Sequence, residues 1–376
     1  MQNAPPPERP YPPKASAVPN APGLAEAAPS FLYPAVPLAF PAPADPVATP
    51  PDPALLAALG AANALRLGLL PWQRRGGETL ILTPLPQEFD RHRDRLTALY
   101  GPDIRPLPCP RSQIESALLA HAGADLAHAA AHRPADADSC RSLDRRLLNT
   151  GLLGGLLTLG AALLLSPAIT TTALILLALI TLIILTLLKL VTTIATLAAG
   201  AAALSPPLAE DDLPTITMMI ALYHEADIAP RLVRRLSALD YPRHRLDILL
   251  LVEDSDPATG AALRAADLPP WMRVLSVPPG QVQTKPRALN FGLDFARGDI
   301  LGVYDAEDAP EPDQLRKVAA AFAAAPPQVA CLQGLLDFYN PRTNWIARCF
   351  TMDYPTWFRL VLPGLDHLCL PIPLGG

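Results

Sequence analysis

From Leu147 to Leu204 the chain is almost entirely hydrophobic, and this block constrains what the whole can fold into more than any other feature. "LLNTGLLGGLLTLGAALLL" (147–165) is nineteen residues without a charge, Ser166 and Pro167 interrupt it, and "AITTTALILLALITLIILTLL" (168–188) adds twenty-one more. At about 1.5 Å per residue each stretch reaches across the ~30 Å hydrocarbon core of a bilayer. Arg133, Arg141, Arg145 and Arg146 precede the first stretch, whereas the Ser-Pro turn has no positive charge. The flanks therefore predict a multi-pass hairpin over 147–204 in the inner (cytoplasmic) membrane, with both ends cytoplasmic. Lys189 and residues 190–204 are too short for a third span and read as a continuation of the second helix or an interfacial segment, with Lys189 snorkelling.

Seventeen of the 46 prolines fall in residues 1–53, in runs such as "PPPERPYPP", so this stretch is expected to be a disordered, partly polyproline tail. Residues 1–30 lack a continuous apolar core, and no signal peptide is expected. The net charge of −5 argues against nucleic acid as a partner, because phosphate neutralisation needs a basic footprint. Five scattered cysteines show no CxxC spacing, which disfavours a zinc site or a disulfide framework.

Residues 54–140 have the texture of a small α/β or α+β domain. "PALLAALGAANALRLG" predicts a helix, "LLPWQRRGGETLILT" two strands around an Arg-Gly-Gly turn, and "QEFDRHRDRLTALYG" a second helix. A strand in "DIRPLPC" and a helix over "SQIESALLAHAG", ending at Gly123, complete it. From Asp212 to Gly376, near-continuous apolar strands alternate with helices, ending in an expected strand "QVACLQGLLDF", which argues a mostly parallel sheet covered on both faces. Acidic residues gather at three strand ends: Tyr223-His224-Glu225, Glu253-Asp254-Ser255-Asp256, and Asp305-Ala306-Glu307-Asp308. Ligands of such sheets bind at the carboxyl ends of the strands, and three converging acidic clusters call for a cation. Lys285 and Arg287 stand at a helix start in "TKPRALN", where free N–H groups favour an anion such as a diphosphate. The aromatic and basic mixture of 340–365 suits either a membrane interface or an amphipathic packing helix.

Two resemblances carry further. Ala64 to Glu88, "ALRLGLLPWQRRGGETLILTPLPQE", resembles the N-terminal domain of type II secretion ATPases. That likeness implies a protein partner or a cyclic dinucleotide, with Arg66, Arg74 and Arg75 as candidate contacts. "IALYHEAD", "LLVEDSD", "KPRALN" and "YDAEDAPEP", in that order, resemble the motifs of the family 2 glycosyltransferases, the cellulose synthase and hyaluronan synthase relatives with the GT-A fold. This implies inverting transfer of a sugar from a nucleotide-diphosphate donor, such as a UDP-sugar, to a polysaccharide or glycan acceptor.

By the same resemblance Tyr223, Glu225, Glu253, Asp254, Lys285 and Asn290 would bind the donor. Asp305 with Glu307 or Asp308 would hold Mg²⁺ or Mn²⁺. His224 stands where the family has Asn, Glu253 where it has Asp, and Glu307 where it has the second Asp of Asp-x-Asp. The family's acidic base motif and Gln-x-x-Arg-Trp motif do not occur before Gly376, so the transferase domain is expected to be incomplete and no catalytic base is assigned. The competing readings are a glycosidase, since paired carboxylates also cleave sugars, and a non-catalytic membrane scaffold or sensor with a vestigial transferase domain.

Overall fold

The computed structural model describes residues 45–139, 143–200, 205–280, 283–338 and 341–374. The proline-rich tail lies outside the described residues up to residue 44, as do 201–204 of the apolar block. Residues 45–53, assigned to the tail by composition, are folded onto the small domain. The Asp45 carboxylate accepts from the N–H groups of Val47 and Ala48, and the Trp72 indole donates to the Thr49 carbonyl at 2.8 Å.

The small domain begins with α1 (Pro53–Leu59), whose start is capped by Asp52, and α2 (Ala61–Leu67). The sequence predicts one helix here; Gly60, at φ +84°, breaks it in two, a backbone conformation that costs glycine little. Strands β1 (Leu70–Arg75) and β2 (Glu78–Thr83) form an antiparallel hairpin, turning at Gly76 and Gly77, both with positive φ. The next predicted helix is divided at His92 into α3 (Pro86–Arg91) and α4 (Arg93–Tyr100). β3 (Ile104–Pro108) then pairs parallel with β2. α5 (Arg111–Ala131) runs eight residues past Gly123, which is helical and buried rather than terminal.

Two helices follow that are long and apolar enough to cross a membrane: α6 (Arg145–Leu165), mean hydropathy 1.7, and α7 (Pro167–Ala199), mean hydropathy 2.9. The most apolar window of each is wholly unburied by the protein. Ser166 ends α6, Pro167 opens α7 where its missing N–H costs nothing, and the Thr170 hydroxyl reaches back to the Ala162 carbonyl at 2.9 Å. α7 runs through Lys189 without a break; its 33 residues span about 50 Å.

Beyond the hairpin come β4 (Ile216–Leu222), α8 (Ala229–Ser237), β5 (Leu246–Glu253), α9 (Pro257–Ala265), β6 (Met272–Val277), α10 (Lys285–Gly292), β7 (Ile300–Tyr304) and α11 (Gln314–Ala324). The four strands form one all-parallel sheet in the order β6-β5-β4-β7. Alternate side chains go to opposite faces, as the pleat requires. Met218, Ile220, Ile248, Leu250 and Val252 pack under Leu232, Leu236, Leu263 and Leu315 of α8, α9 and α11.

Met219, Leu249, Leu251, Leu275 and Val277 point the other way, into a core they share with Phe291 of α10 and with Leu55, Leu65, Ile114, Leu118 and Leu126 of the small domain. α10 thus covers the second face of the parallel sheet, and the small domain, which precedes the apolar hairpin in sequence, packs over it. The interface is tied by charge as well. Glu115 of α5, only 9 % exposed, accepts from Arg273 of β6 and from Arg297 at 2.7 and 2.8 Å, and from Arg111 of its own helix at 3.1 Å. Arg273 also reaches buried Asp247 at 2.9 Å, and Arg133 pairs with Asp294 at 2.7 Å.

The strand expected over "QVACLQGLLDF" is absent: residues 328–338 form no strand, and β7 remains the edge of the sheet, with Leu301 and Val303 exposed. Apolar character alone suggested that strand, but no ladder of backbone hydrogen bonds forms there. The chain then makes α12 (Trp345–Thr356), a π-helical turn (Trp357–Val361) and α13 (Leu362–His367). These last two pack on the end of α7, where Gly364 lies against the Thr192 backbone so closely that a Cβ would meet its carbonyl oxygen at 2.0 Å.

Candidate functional site

In chain order the sheet is built outward from β4 to β5 to β6, and then the chain crosses back to lay β7 on the other side of β4. The strand order therefore reverses between β4 and β7, and the carboxyl edge beside such a reversal is the place where doubly wound sheets bind ligands. Every polar residue singled out at a strand end falls on this edge. A separate cleft lined by Thr215, Arg243, Asp247, Trp271 and Arg297 opens at the opposite, amino-terminal edge, away from these groups.

One wall is the end of β4. His224 has φ +59°, the left-handed region that asparagine and glycine tolerate better than histidine. Its N–H donates to Asp256 at 2.6 Å, and the N–H of Glu225 donates to the Thr259 hydroxyl at 3.0 Å. Asp256, 2 % exposed, also caps α9 through the Thr259 N–H at 3.2 Å. Burial alone would raise the Asp256 pKa, but the hydrogen bonds from Thr259 and from the His224 N–H outweigh it and hold it below the ordinary value.

Two expectations follow from this wall. Asp256 contributes stability above its unfolded pKa and loses it as pH falls through its depressed folded value, so the acid limb of unfolding free energy in Asp256→Asn should be shallower below about pH 4 than in the native chain. At pH 7 the same substitution should cost about 1–2 kcal/mol by denaturant titration. The His224 side chain is 68 % exposed and approaches Asp256 only to 3.9 Å. His224→Gly should therefore raise stability by about 0.5–1 kcal/mol in the same titration, by relieving the left-handed backbone.

The floor is the end of β5. Glu253 is buried and is held by the equally buried Arg287 of α10 at 3.1 Å. Burial pushes the Glu253 pKa up, with Arg287 opposing. Arg287, assigned by sequence to a diphosphate, is thus directed inward. Its guanidinium also donates to the Pro278 carbonyl, and it lies against Gly280, where a Cβ would approach its Nε to 2.5 Å. Asp254 accepts from the Ser276 hydroxyl. Gln283 bridges the floor to the first wall, donating to Ser255 at 2.6 Å and accepting from the Tyr223 hydroxyl at 3.4 Å.

The other wall is the end of β7. Asp305 is paired with Lys285, the first residue of α10, so strand end and helix start are joined directly. The Asp308 carboxylate accepts from the Asp305 N–H at 2.9 Å, and its pKa is pushed up by burial and then by Asp305 and Glu307. Burial first, and Glu307 second, also raise Glu225 across the crevice. Arg235 of α8 fixes this turn by donating to the carbonyls of Glu307 and Asp308 at 2.6 and 3.2 Å. Asn290, half-buried in α10, makes no side-chain hydrogen bond among the described residues.

Sequence reasoning missed Arg235, Gln283 and Thr259. Asp256 before Pro257, with Thr259 three residues on, carried a readable helix-start signature. Arg235 carried none, since a guanidinium that grips backbone carbonyls from a distant helix leaves no motif.

Comparison with known proteins fits this geometry. Residues 214–366 match the family described as "Glycosyltransferase like family 2", and residues 36–128 match the MshEN domain. The carboxyl-terminal region is thus similar to family 2 glycosyltransferases, and the small domain to MshEN domains.

Among curated relatives, the beta-monoglucosyldiacylglycerol synthase of Synechocystis sp. is 31 % identical over 150 residues, covering 38 % of this chain and 31 % of that protein. Succinoglycan biosynthesis protein ExoO of Rhizobium meliloti is 32 % identical over 127 residues, covering 34 % and 35 %. The chain thus spans about a third of the length of these relatives. Among solved structures, the mannosyltransferase PcManGT from Pyrobaculum calidifontis, in complex with GDP-Man and Mn²⁺, is similar with 25 % identity and a TM-score of 0.33, over 42 % of this chain and 48 % of that one.

Proposed function

We propose that the carboxyl-terminal domain transfers a sugar, with inversion, from a nucleoside diphosphate sugar to a glycan acceptor at the cytoplasmic face of the inner membrane. The observation that supports this most is the Lys285–Asp305 pair at the switch point of the sheet, which brings an anion-binding helix start against an acidic strand end. Lys285 would bind the diphosphate. Tyr223, Glu225, Asp254 and Asn290 would hold the nucleoside and sugar, with Glu253 fixed beneath them by Arg287.

The residues at the end of β7 fit a hard divalent cation in kind. Their donors are carboxylate oxygens, and Asp308, raised first by burial, is raised further by the neighbouring Asp305 and Glu307. Asp305 with Glu307 or Asp308 would hold Mg²⁺ or Mn²⁺; among the described residues no three such side chains are already gathered as a cage. The cation would supply charge neutralisation for the departing nucleoside diphosphate.

Membrane attachment rests on α6 and α7. The core shared by the small domain and the transferase sheet supports an even number of crossings between them, because both halves of one hydrophobic core must lie on the same side. The exposed Arg66, Arg74 and Arg75 of the small domain would serve a protein or cyclic-dinucleotide partner.

The test is calorimetry on the full chain in detergent with UDP and with GDP, each with and without Mn²⁺. Metal-dependent binding of either nucleotide is the expected result, and absence of binding to both under all conditions overturns the reading.

A further inference from the structure

We propose that the small domain sets the affinity of the donor site by fixing the position of α10 through α5, an inference that rests on the donor reading above. α10 is clamped between two surfaces. On one side Gly292 presses on β5, where a Cβ would meet the Leu251 side chain at 2.8 Å. On the other side lies α5, and Phe291 and Phe295, ring centroids 5.2 Å apart, are sunk in the same core as Ile114, Leu118 and Leu126 of that helix.

α5 also holds both ends of the segment that carries α10. Past its midpoint, Gly123 faces Pro278, and a Cβ there would lie 3.5 Å from the proline ring. The Pro278 carbonyl is the acceptor for Arg287, which in turn holds Glu253 on the floor of the crevice. Just beyond its end, Arg133 pairs with Asp294 at 2.7 Å. The same α10 begins with Lys285, which holds Asp305. A helix that carries the crevice's Lys285 and, beneath it, the Arg287 that fixes Glu253 is therefore seated on another domain. Packed cores transmit displacement because they have no slack to absorb it, so a shift of α5 moves Lys285 and Arg287 together. The small domain is then a regulatory lever, and whatever binds it acts on donor affinity by that route.

The test compares Gly123→Leu with Gly123→Ala in the full chain in detergent, using hydrogen exchange of residues 285–292 and calorimetry with UDP or GDP plus Mn²⁺. The alanine methyl fits at ordinary contact distance and should leave both readouts unchanged. The leucine should wedge α5 from Pro278, speed exchange across α10 at least tenfold, and weaken nucleotide binding at least fivefold, while β4 and β5 stay protected.

Should the leucine variant fail to fold, Arg133→Gln, at the exposed tie, should give the same two changes at smaller amplitude. Unchanged exchange in α10, or faster exchange with unaltered nucleotide affinity, overturns the proposal. If the native chain binds neither nucleotide, the donor reading fails by itself, and the exchange of α10 still decides whether the helix is coupled to α5.

Discussion

Asp305→Asn is expected to weaken Mn²⁺-dependent binding of a nucleoside diphosphate by about 100-fold, roughly 2.7 kcal/mol, measured by calorimetry on the full chain. The substitution changes shape very little but removes the charge at the one carboxylate that touches Lys285. Two effects then add: the proposed cation site loses a charged oxygen ligand, and the Lys285 ammonium loses the partner that holds it at the head of α10. Binding measured without metal should fall much less. The neighbouring Asp308 already spends one oxygen on the Asp305 N–H and is pushed towards its neutral form by burial and by its acidic neighbours, so it cannot substitute fully. Equal affinity of the native and Asp305→Asn chains in Mn²⁺ would remove the end of β7 from the cation site.

Glu115→Ala should be the most destabilising single change outside the apolar hairpin, by about 3–5 kcal/mol in denaturant unfolding. Arg111, Arg273 and Arg297 converge on this carboxylate, and Asp247 is the other acid in the network. Removing Glu115 leaves Arg111 and Arg297 without their carboxylate at a half-buried domain boundary, and Arg273 with Asp247 alone. Their repulsion, with the lost hydrogen bonds, falls on the contact between the small domain and the transferase domain. Glu115→Gln keeps the shape and part of the hydrogen bonding and should cost less. A loss under about 1 kcal/mol for the alanine variant would mean that the apolar part of the boundary carries it alone.

The strands and helices of the transferase domain were legible because a parallel sheet writes itself as apolar runs between helices. Leu246 to Glu253 is buried at every position, and no other element fits such a run. The strand ends were legible for the same reason, since acidic residues stop a buried run abruptly. That the small domain packs over the second face of the sheet was not legible. Glu115 and Arg273 are 158 residues apart with a hairpin between them, and neither has a local pattern that names the other. Breaks within helices were misread where a single residue decides them, as at Gly60, His92 and Gly123. The inward turn of Arg287 was also invisible, because at a helix start a guanidinium serves a bound anion or a buried carboxylate equally well, and only the depth of Glu253 chooses.

The core shared across the hairpin also bears on how the molecule is made. Residues 53–131 leave the ribosome first, with an apolar face that has no partner until the sheet of 216–304 has been synthesised. Under the proposed topology, the apolar hairpin enters the bilayer and returns between the two events. A chain that crossed only once would strand the two halves on opposite sides, each with a bare greasy surface and with the arginines of one half parted from Glu115. Under the proposed topology, closure of this boundary depends on correct threading of the hairpin, and a chain threaded otherwise leaves both apolar faces bare.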